Sequence, residues 1–300
     1  MINEPLISII CPVFNGQKYL AKSIESCIGQ DYKNWELILV DDCSKDDTFS
    51  ICKEYAQKDK RIKVFQNEKN LKLPASLNVG FSHASGEFYT WTSDDNFYLP
   101  NALSSMLKTL QEKKVDIVCS DFLMIDEFDN IISYYELLDF ENVLYANVGG
   151  ACFLYKAEVS KKLNGYDVNL FLVEDYDFWM RAYLAGFCAY HIKYALYFYR
   201  QHSVSLSGQN VKNVLERTYW RFLLNVKYLD RFNRDCQKKY WRYLISNMKK
   251  SANIKELSKF VRRNFFKIVK CGSALSFFIA FVKKYIRSKM GCEKNYFKSI

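Results

Sequence analysis

Three pairs of adjacent acids mark where this chain could do chemistry: Asp41-Asp42, Asp94-Asp95 and Glu174-Asp175. Asp41-Asp42-Cys43-Ser44 closes an apolar run. A carboxylate there can accept the N–H of a pyrimidine base or hold a ribose hydroxyl; equally, it can bond the backbone of a turn. Ser93-Asp94-Asp95-Asn96 follows a second run and precedes Pro100. Mg²⁺ and Mn²⁺ favour oxygen ligands, often one or two carboxylates plus substrate phosphates. A cation so held neutralises the charge that develops on a departing pyrophosphate. The competing reading is a helix cap. Glu174-Asp175 opens a helical pattern containing Trp179 and Arg181. A carboxylate there can act as general base, although acids are favoured in any first helical turn. His202, one of three histidines, is placed to bind metal or phosphate, or to be an ordinary surface imidazole. Gly149-Gly150 permits either close approach to a ligand or a simple bend.

The elements that must position these residues follow from apolar spacing. Leu6–Pro12, Trp35–Asp42, Arg61–Gln66 and Phe88–Thr92 read as strands. Between them Tyr19–Ile28, Thr48–Lys58 and Leu71–His83 read as helices, and Pro100–Lys113 follows with Pro at its opening turn. This alternation predicts an α/β fold with a mostly parallel, Rossmann-like sheet flanked by helices. Ligands of such sheets bind beyond the carboxyl ends of the strands. Asp41-Asp42 and Asp94-Asp95 both fall there. From Asp116 to Arg200 short strand patterns recur at Ile117–Ser120, Ile131–Tyr135, Ala151–Tyr155 and Leu196–Tyr199, with one helix after Glu174.

Composition bounds the rest. At 49% hydrophobic and 25% charged the chain is a folding one, not a disordered one. Residues 209–300 hold 23 of the 43 Lys and Arg but only 5 of the 33 Asp and Glu, so an acidic front meets a strongly basic tail. The expected division is a catalytic domain over 1–208 and a basic helical region over 209–300. The ten cysteines are scattered without a C-x-x-C pair, which fits reduced thiols. The start of the sequence lacks a signal-peptide pattern, and the longest apolar run, Ser273 to Val282, is far short of the ~20 residues of a spanning helix. The expected location is cytoplasmic, peripheral at the inner face of the cell membrane.

Five stretches in order resemble the family-2 glycosyltransferases, whose fold is the A-type glycosyltransferase fold: Ile7 to Gly16, Glu36 to Thr48, Asn70 to Asp95, Gly165 to Arg181, and Arg200 to Ser205. The resemblance implies inverting transfer of a sugar from a nucleotide-sugar donor, expected to be a UDP-sugar, to an acceptor hydroxyl in surface polysaccharide or glycolipid. By position it implies that Pro12, Phe14, Asn15, Asp41, Asp42, Asn70, Ser93, Asp94 and Asp95 contact the nucleotide-sugar. It further implies that Asp175 is the base with Glu174 in support. Asp94, Asp95 and His202 are the implied metal residues, for Mn²⁺ or Mg²⁺. The sequence departs from the pattern twice. Thr92 stands where the family's first metal-binding acid belongs, and Ser76-Leu77-Asn78 stands where many relatives carry an Arg before Asn. The first departure keeps a non-catalytic, sugar-nucleotide-binding or scaffolding domain as the alternative. A sugar nucleotidyltransferase would want a Gly-rich basic loop where this chain has Val13-Phe14-Asn15-Gly16.

The tail lies outside the resemblance. Phe277, Phe278, Ile279 and Phe281, flanked by Lys267, Lys270, Lys283, Lys284 and Arg287, fit an interfacial helix on an anionic membrane surface. The partners expected are therefore a nucleotide-sugar, a saccharide or lipid-linked saccharide acceptor and that membrane surface. Nucleic acid is not among them, because the aromatics form no stacking platform.

Overall fold

The computed structural model describes residues 4–144, 146–203, 205–206, 220–221, 224–225, 227–237 and 240. The chain divides into two compact units, residues 1–221 and 222–300.

The first unit begins with β1 (Ile7–Val13), α1 (Leu20–Ile28), β2 (Trp35–Asp41), α2 (Thr48–Lys58), β3 (Ile62–Gln66), α3 (Leu73–Ser82) and β4 (Phe88–Trp91). All seven residues of β1 and of β2 are buried, so both sheet faces are covered. Gly80 of α3 packs against Ile10 and Val40 on one face. Cys11 points the other way, toward Cys27 of α1 and Cys52 of α2. Burial pushes the Cys27 and Cys52 thiols up to about 12, as befits small core residues with no reactive role.

β5 (Phe97–Tyr98), α4 (Ala102–Lys113), β6 (Ile117–Ile125), β7 (Ile131–Tyr135), β8 (Phe153–Lys156), α5 (Ala157–Leu163), α6 (Glu174–Leu184) and β9 (Ala189–Arg200) complete the unit. The strand order is β3-β2-β1-β4-β8-β6-β9-β5, with β7 paired to β6. Pairings are parallel from β3 through β4 and again between β6 and β9. β8 runs antiparallel to both β4 and β6, and β7 and β5 add antiparallel edges. The expected α/β sheet with flanking helices stands, and its parallel half is the one that carries the first two acid pairs.

In the second unit Leu224, Tyr228, Leu229 and Phe232 are buried. Leu229–Arg231 is a 3-10 turn. Most of the expected helical region, including the whole Lys267–Arg287 segment, lies outside the described residues. Among the described residues no helix is long and apolar enough to cross a membrane.

Candidate active site

The carboxyl ends of β1, β2 and β4 open on a cavity of about 870 Å³, to which Asp42, Asp94 and Asp175 all contribute. The rim after β1 is held by backbone donors. Asn15 is left-handed (φ 53°); its N–H donates to Ser44 Oγ (3.0 Å) and its side-chain oxygen accepts from the Lys45 N–H (2.8 Å). The Gly16 N–H donates to Thr48 Oγ1 (2.8 Å). A Cβ on Gly16 would stand 2.1 Å from Asp94 Oδ2, so only glycine lets this loop approach the carboxylate. Pro12 and Phe14 line the cavity, with Phe14 47% exposed.

Asp41 and Asp42 separate. Asp41 is fully buried, accepts from Gln66 Nε2 (2.9 Å) and Ser44 N–H (3.3 Å), and is absent from the cavity wall. Asp42 lines the cavity. Its Oδ1 accepts from Asn67 Nδ2 (2.8 Å) and the Leu71 N–H (2.7 Å), and its Oδ2 from the Lys72 N–H (2.8 Å). One carboxylate thus folds the 70–72 loop over the strand end. Asn70 supports that loop by accepting from Lys72 N–H (3.1 Å). In the Ser76-Leu77-Asn78 stretch, where the Arg is missing, Ser76 and Leu77 are buried and Ser76 accepts from Asn67 Nδ2 (2.9 Å).

Among the described residues Asp94 receives the Phe14 N–H alone, at 3.3 Å. Burial and the neighbouring Asp95 carboxylate push it up to about 7. Ser93 lines the cavity, and its carbonyl accepts from Ser23 Oγ (2.8 Å). Thr92 does not replace the missing acid: its hydroxyl is buried against Tyr197 Oη at 2.6 Å. His202 Nε2 lies 3.0 Å from Asp95 Oδ2, and the imidazole is tilted against Tyr19. Among the described residues no three His, Cys, Asp or Glu side chains gather as a ready set of ion ligands. The adjacent Asp94 and Asp95 carboxylates fit an ion that brings further ligands with it, as Mg²⁺ and Mn²⁺ do with phosphates.

Arg200 is the residue whose role the sequence hid. It is 1% exposed, and its N–H donates to Asn96 Oδ1 (2.7 Å). Its guanidinium donates to Asp95 O (2.9 Å) and Asp126 O (3.0 Å) and pairs with Asp129 (2.6 Å), over the Tyr19 ring. A buried, satisfied Arg reads in sequence like any exposed one.

Glu174 and Asp175 sit in the first turn of α6. Arg181 braces that helix through Asp177 (2.6 Å) and the carbonyls of Leu163 and Gly165, while Asn78 of α3 exchanges two hydrogen bonds with Tyr166. Glu174 is 4% exposed; burial and the Asp175 charge raise it to about 8. Burial also raises Asp175, but Asn147 Nδ2 (2.6 Å), the Tyr176 N–H (2.7 Å) and the charge of Arg221 pull it back. Of the two, Asp175 is therefore the member that holds the negative charge. Glu174 Oε2, Asn147 Oδ1 and Trp179 Nε1 are buried without a hydrogen-bond partner among the described residues. Gly149 admits the indole, since a Cβ there would lie 1.8 Å from Trp179 Nε1.

The cavity thus joins acids at the carboxyl ends of a parallel half-sheet to a helix-borne acid. Residues 8–163 match the family described as glycosyl transferase family 2. The chain is 35% identical over 212 residues to EpsE of Bacillus subtilis strain 168, a protein named for glycosyl transfer, covering 68% of this chain and 76% of that one. It is 34% identical over 130 residues to the glycosyltransferase GlyG of Streptococcus pneumoniae, 43% of each chain. It spans 58% of the length of a glycosyltransferase relative in Rickettsia typhi, at 33% identity over 59% of this chain. The chain belongs to glycosyltransferase family 2, and it is a glycosyltransferase. Solved structures agree in fold. Staphylococcus aureus TarS 1–349 in complex with UDP aligns with TM-score 0.63 at 20% identity, covering 81% of this chain and 72% of that one. A mannosyltransferase of Pyrobaculum calidifontis in complex with GDP-Man and Mn²⁺ aligns with TM-score 0.58 at 15% identity, covering 96% and 89%.

Proposed function

We propose that the protein transfers a sugar, with inversion, from a UDP-sugar to an acceptor hydroxyl in surface polysaccharide or glycolipid synthesis. The observation that carries this reading is the convergence of Asp42, Asp94 and Asp175 on one cavity. Asp42 and the 70–72 loop form the nucleotide end, with Asp41 holding the turn beneath. Pro12, Phe14 and Asn15 line the loop over the nucleotide, and Ser93, Asp94 and Asp95 face the diphosphate.

Asp175 is the general base. It takes the proton of the acceptor hydroxyl, whose oxygen bonds to the anomeric carbon as the bond to the diphosphate oxygen breaks. The electron pair leaves with the nucleotide diphosphate, and attack from the opposite face reverses the configuration. Glu174, raised in pKa beside it, keeps the spare proton so that the pair carries one charge. Asp94, with Asp95 oriented by His202, would hold Mn²⁺ or Mg²⁺, which supplies positive charge against the diphosphate. Thr92 leaves one carboxylate fewer than the family pattern, which lowers affinity for the free ion more than for the ion bound with nucleotide. UDP is favoured because TarS is described with UDP and with UDP-GlcNAc; GDP is the rival, from the mannosyltransferase with GDP-Man. The basic 255–300 segment supports attachment to anionic membrane surfaces.

The test is a thermal-shift panel of UDP-, GDP- and dTDP-sugars with Mn²⁺. UDP-sugars should raise the melting temperature most, since a ligand of the native state stabilises it. A panel without any shift removes the donor assignment.

A further inference from the structure

The cavity has a second wall of different chemistry. Side chains alternate across a strand, so residues two apart share a face. In β6 these are Phe122 and Met124; in β9, Tyr197 and Tyr199. Register places Tyr135 of β7 opposite Phe122, and Tyr199 opposite Met124. All five line the cavity. Tyr135 and Phe122 stack with centroids 4.6 Å apart and planes at 12°, and Phe122 contacts Tyr199 at 5.5 Å. Three strands thus present one row of rings. Tyr197 Oη is committed to Thr92, whereas Tyr135 is 46% exposed at the outer end of the row.

A half-wet tyrosine ring whose inner face is backed by Phe122 leaves its outer face for a ligand with an apolar face and a polar edge. A pyranose ring has that shape: its C–H groups cover one face and its hydroxyls point outward. An acyl chain would want aliphatic side chains, and within this row Met124 is the single non-aromatic one. A nucleobase would stack here too, but the loop that Asp42 folds offers its polar contacts on the far side of the sheet, at β2.

Resting on the glycosyltransferase reading above, we infer that Tyr135, backed by Phe122, stacks a sugar ring of a saccharide acceptor on its outer face. Tyr135 sets which acceptors are held, and the chemistry at Asp175 proceeds without it.

The experiment compares the full-length protein with Tyr135→Ala and Tyr135→Trp. Hydrolysis of UDP-sugars with Mn²⁺ reads the donor site alone. Saturation-transfer NMR with cello-, chito- and malto-oligosaccharides in the presence of UDP reads the platform. Hydrolysis should keep its KM in all three proteins. Saturation of ring protons from at least one oligosaccharide should be present in the wild type, fall about tenfold in Tyr135→Ala and persist in Tyr135→Trp. No Tyr135-dependent saturation anywhere in the panel overturns the platform. So does a raised donor KM in Tyr135→Ala, which would make the row a base-stacking surface. Octyl glucoside saturated on its chain instead of its ring would overturn it in favour of a lipid groove. Loss of hydrolysis in the wild type would instead strike the parent reading.

Discussion

The two sides of the cavity are built on opposite terms. At the Asp42 end the carboxylates are satisfied: Asp42 accepts three hydrogen bonds and Asp41 bonds Gln66 and Ser44. At the helix end three buried polar atoms of Glu174, Asn147 and Trp179 have no partner among the described residues, and two adjacent carboxyls share one cavity wall. Leaving a buried polar atom unpaired costs about 1–3 kcal/mol. The contrast teaches where the protein is preformed and where its groups await substrate. Asp175 itself accepts from Asn147 and the Tyr176 N–H, so the unpaired atoms of that wall belong to its neighbours.

The largest expected break in that comparison is Asp175→Asn. Transfer should fall by about 10³, within the usual range for a lost general base, while UDP binding by calorimetry stays within about twofold. Near-normal turnover would discard Asp175 as base. Next comes Thr92→Asp, which restores the family's first acid on paper. Thr92 is buried against Tyr197, so the new carboxylate should destabilise the fold by about 3 kcal/mol. The melting temperature should then drop by roughly 6–12 °C. A stable variant with tighter Mn²⁺ binding would show instead that the position still faces the ion.

Gly16→Ala tests the satisfied side. Its Cβ would displace the Asp94 carboxylate, so the KM for Mn²⁺ with UDP-sugar should rise about tenfold with little loss of stability. The smallest effect is in pH. Asp94 titrates near 7 in the folded chain, against about 4 when unfolded. The stability this proton brings is therefore whole below about pH 4 and lost as pH rises through 7; Glu174 acts in the same direction, up to about 8. Melting temperature without ligand should fall by a few degrees, about 2–4 °C per kcal/mol, between pH 5.5 and 8. Asp94→Asn should flatten that slope, and UDP with Mn²⁺ should reverse it. A slope unchanged in Asp94→Asn would locate the titration elsewhere.

Much of this was legible in the chain. Buried runs such as Trp35–Asp41 announce parallel strands because both faces are covered, and acids directly after such runs must lie at the sheet's functional edge. What sequence does not mark is direction and partner. β8 enters between β4 and β6 with only four residues, and β5 has two, too few to show a period. Asp41 and Asp42 look alike as neighbours, yet strand alternation sends one inward and one to the cavity. Thr92 could be seen to lack a charge, but not that its hydroxyl is spent on a tyrosine 105 residues away. β7 is apolar in sequence and exposed at all five positions, because an edge strand has a neighbour on one side only.

The buried guanidinium of Arg200 works as a tie-rod. It fastens the carbonyl of Asp95 to the hairpin tip at Asp126 and Asp129, so the loop that carries Asp94 and Asp95 and the hairpin that ends in Tyr135 are tied together. On the proposed reading, an acceptor that moves the hairpin would move the aspartates with it. Lysine, with one point of attachment in place of a planar fork, would leave the two ends to move separately.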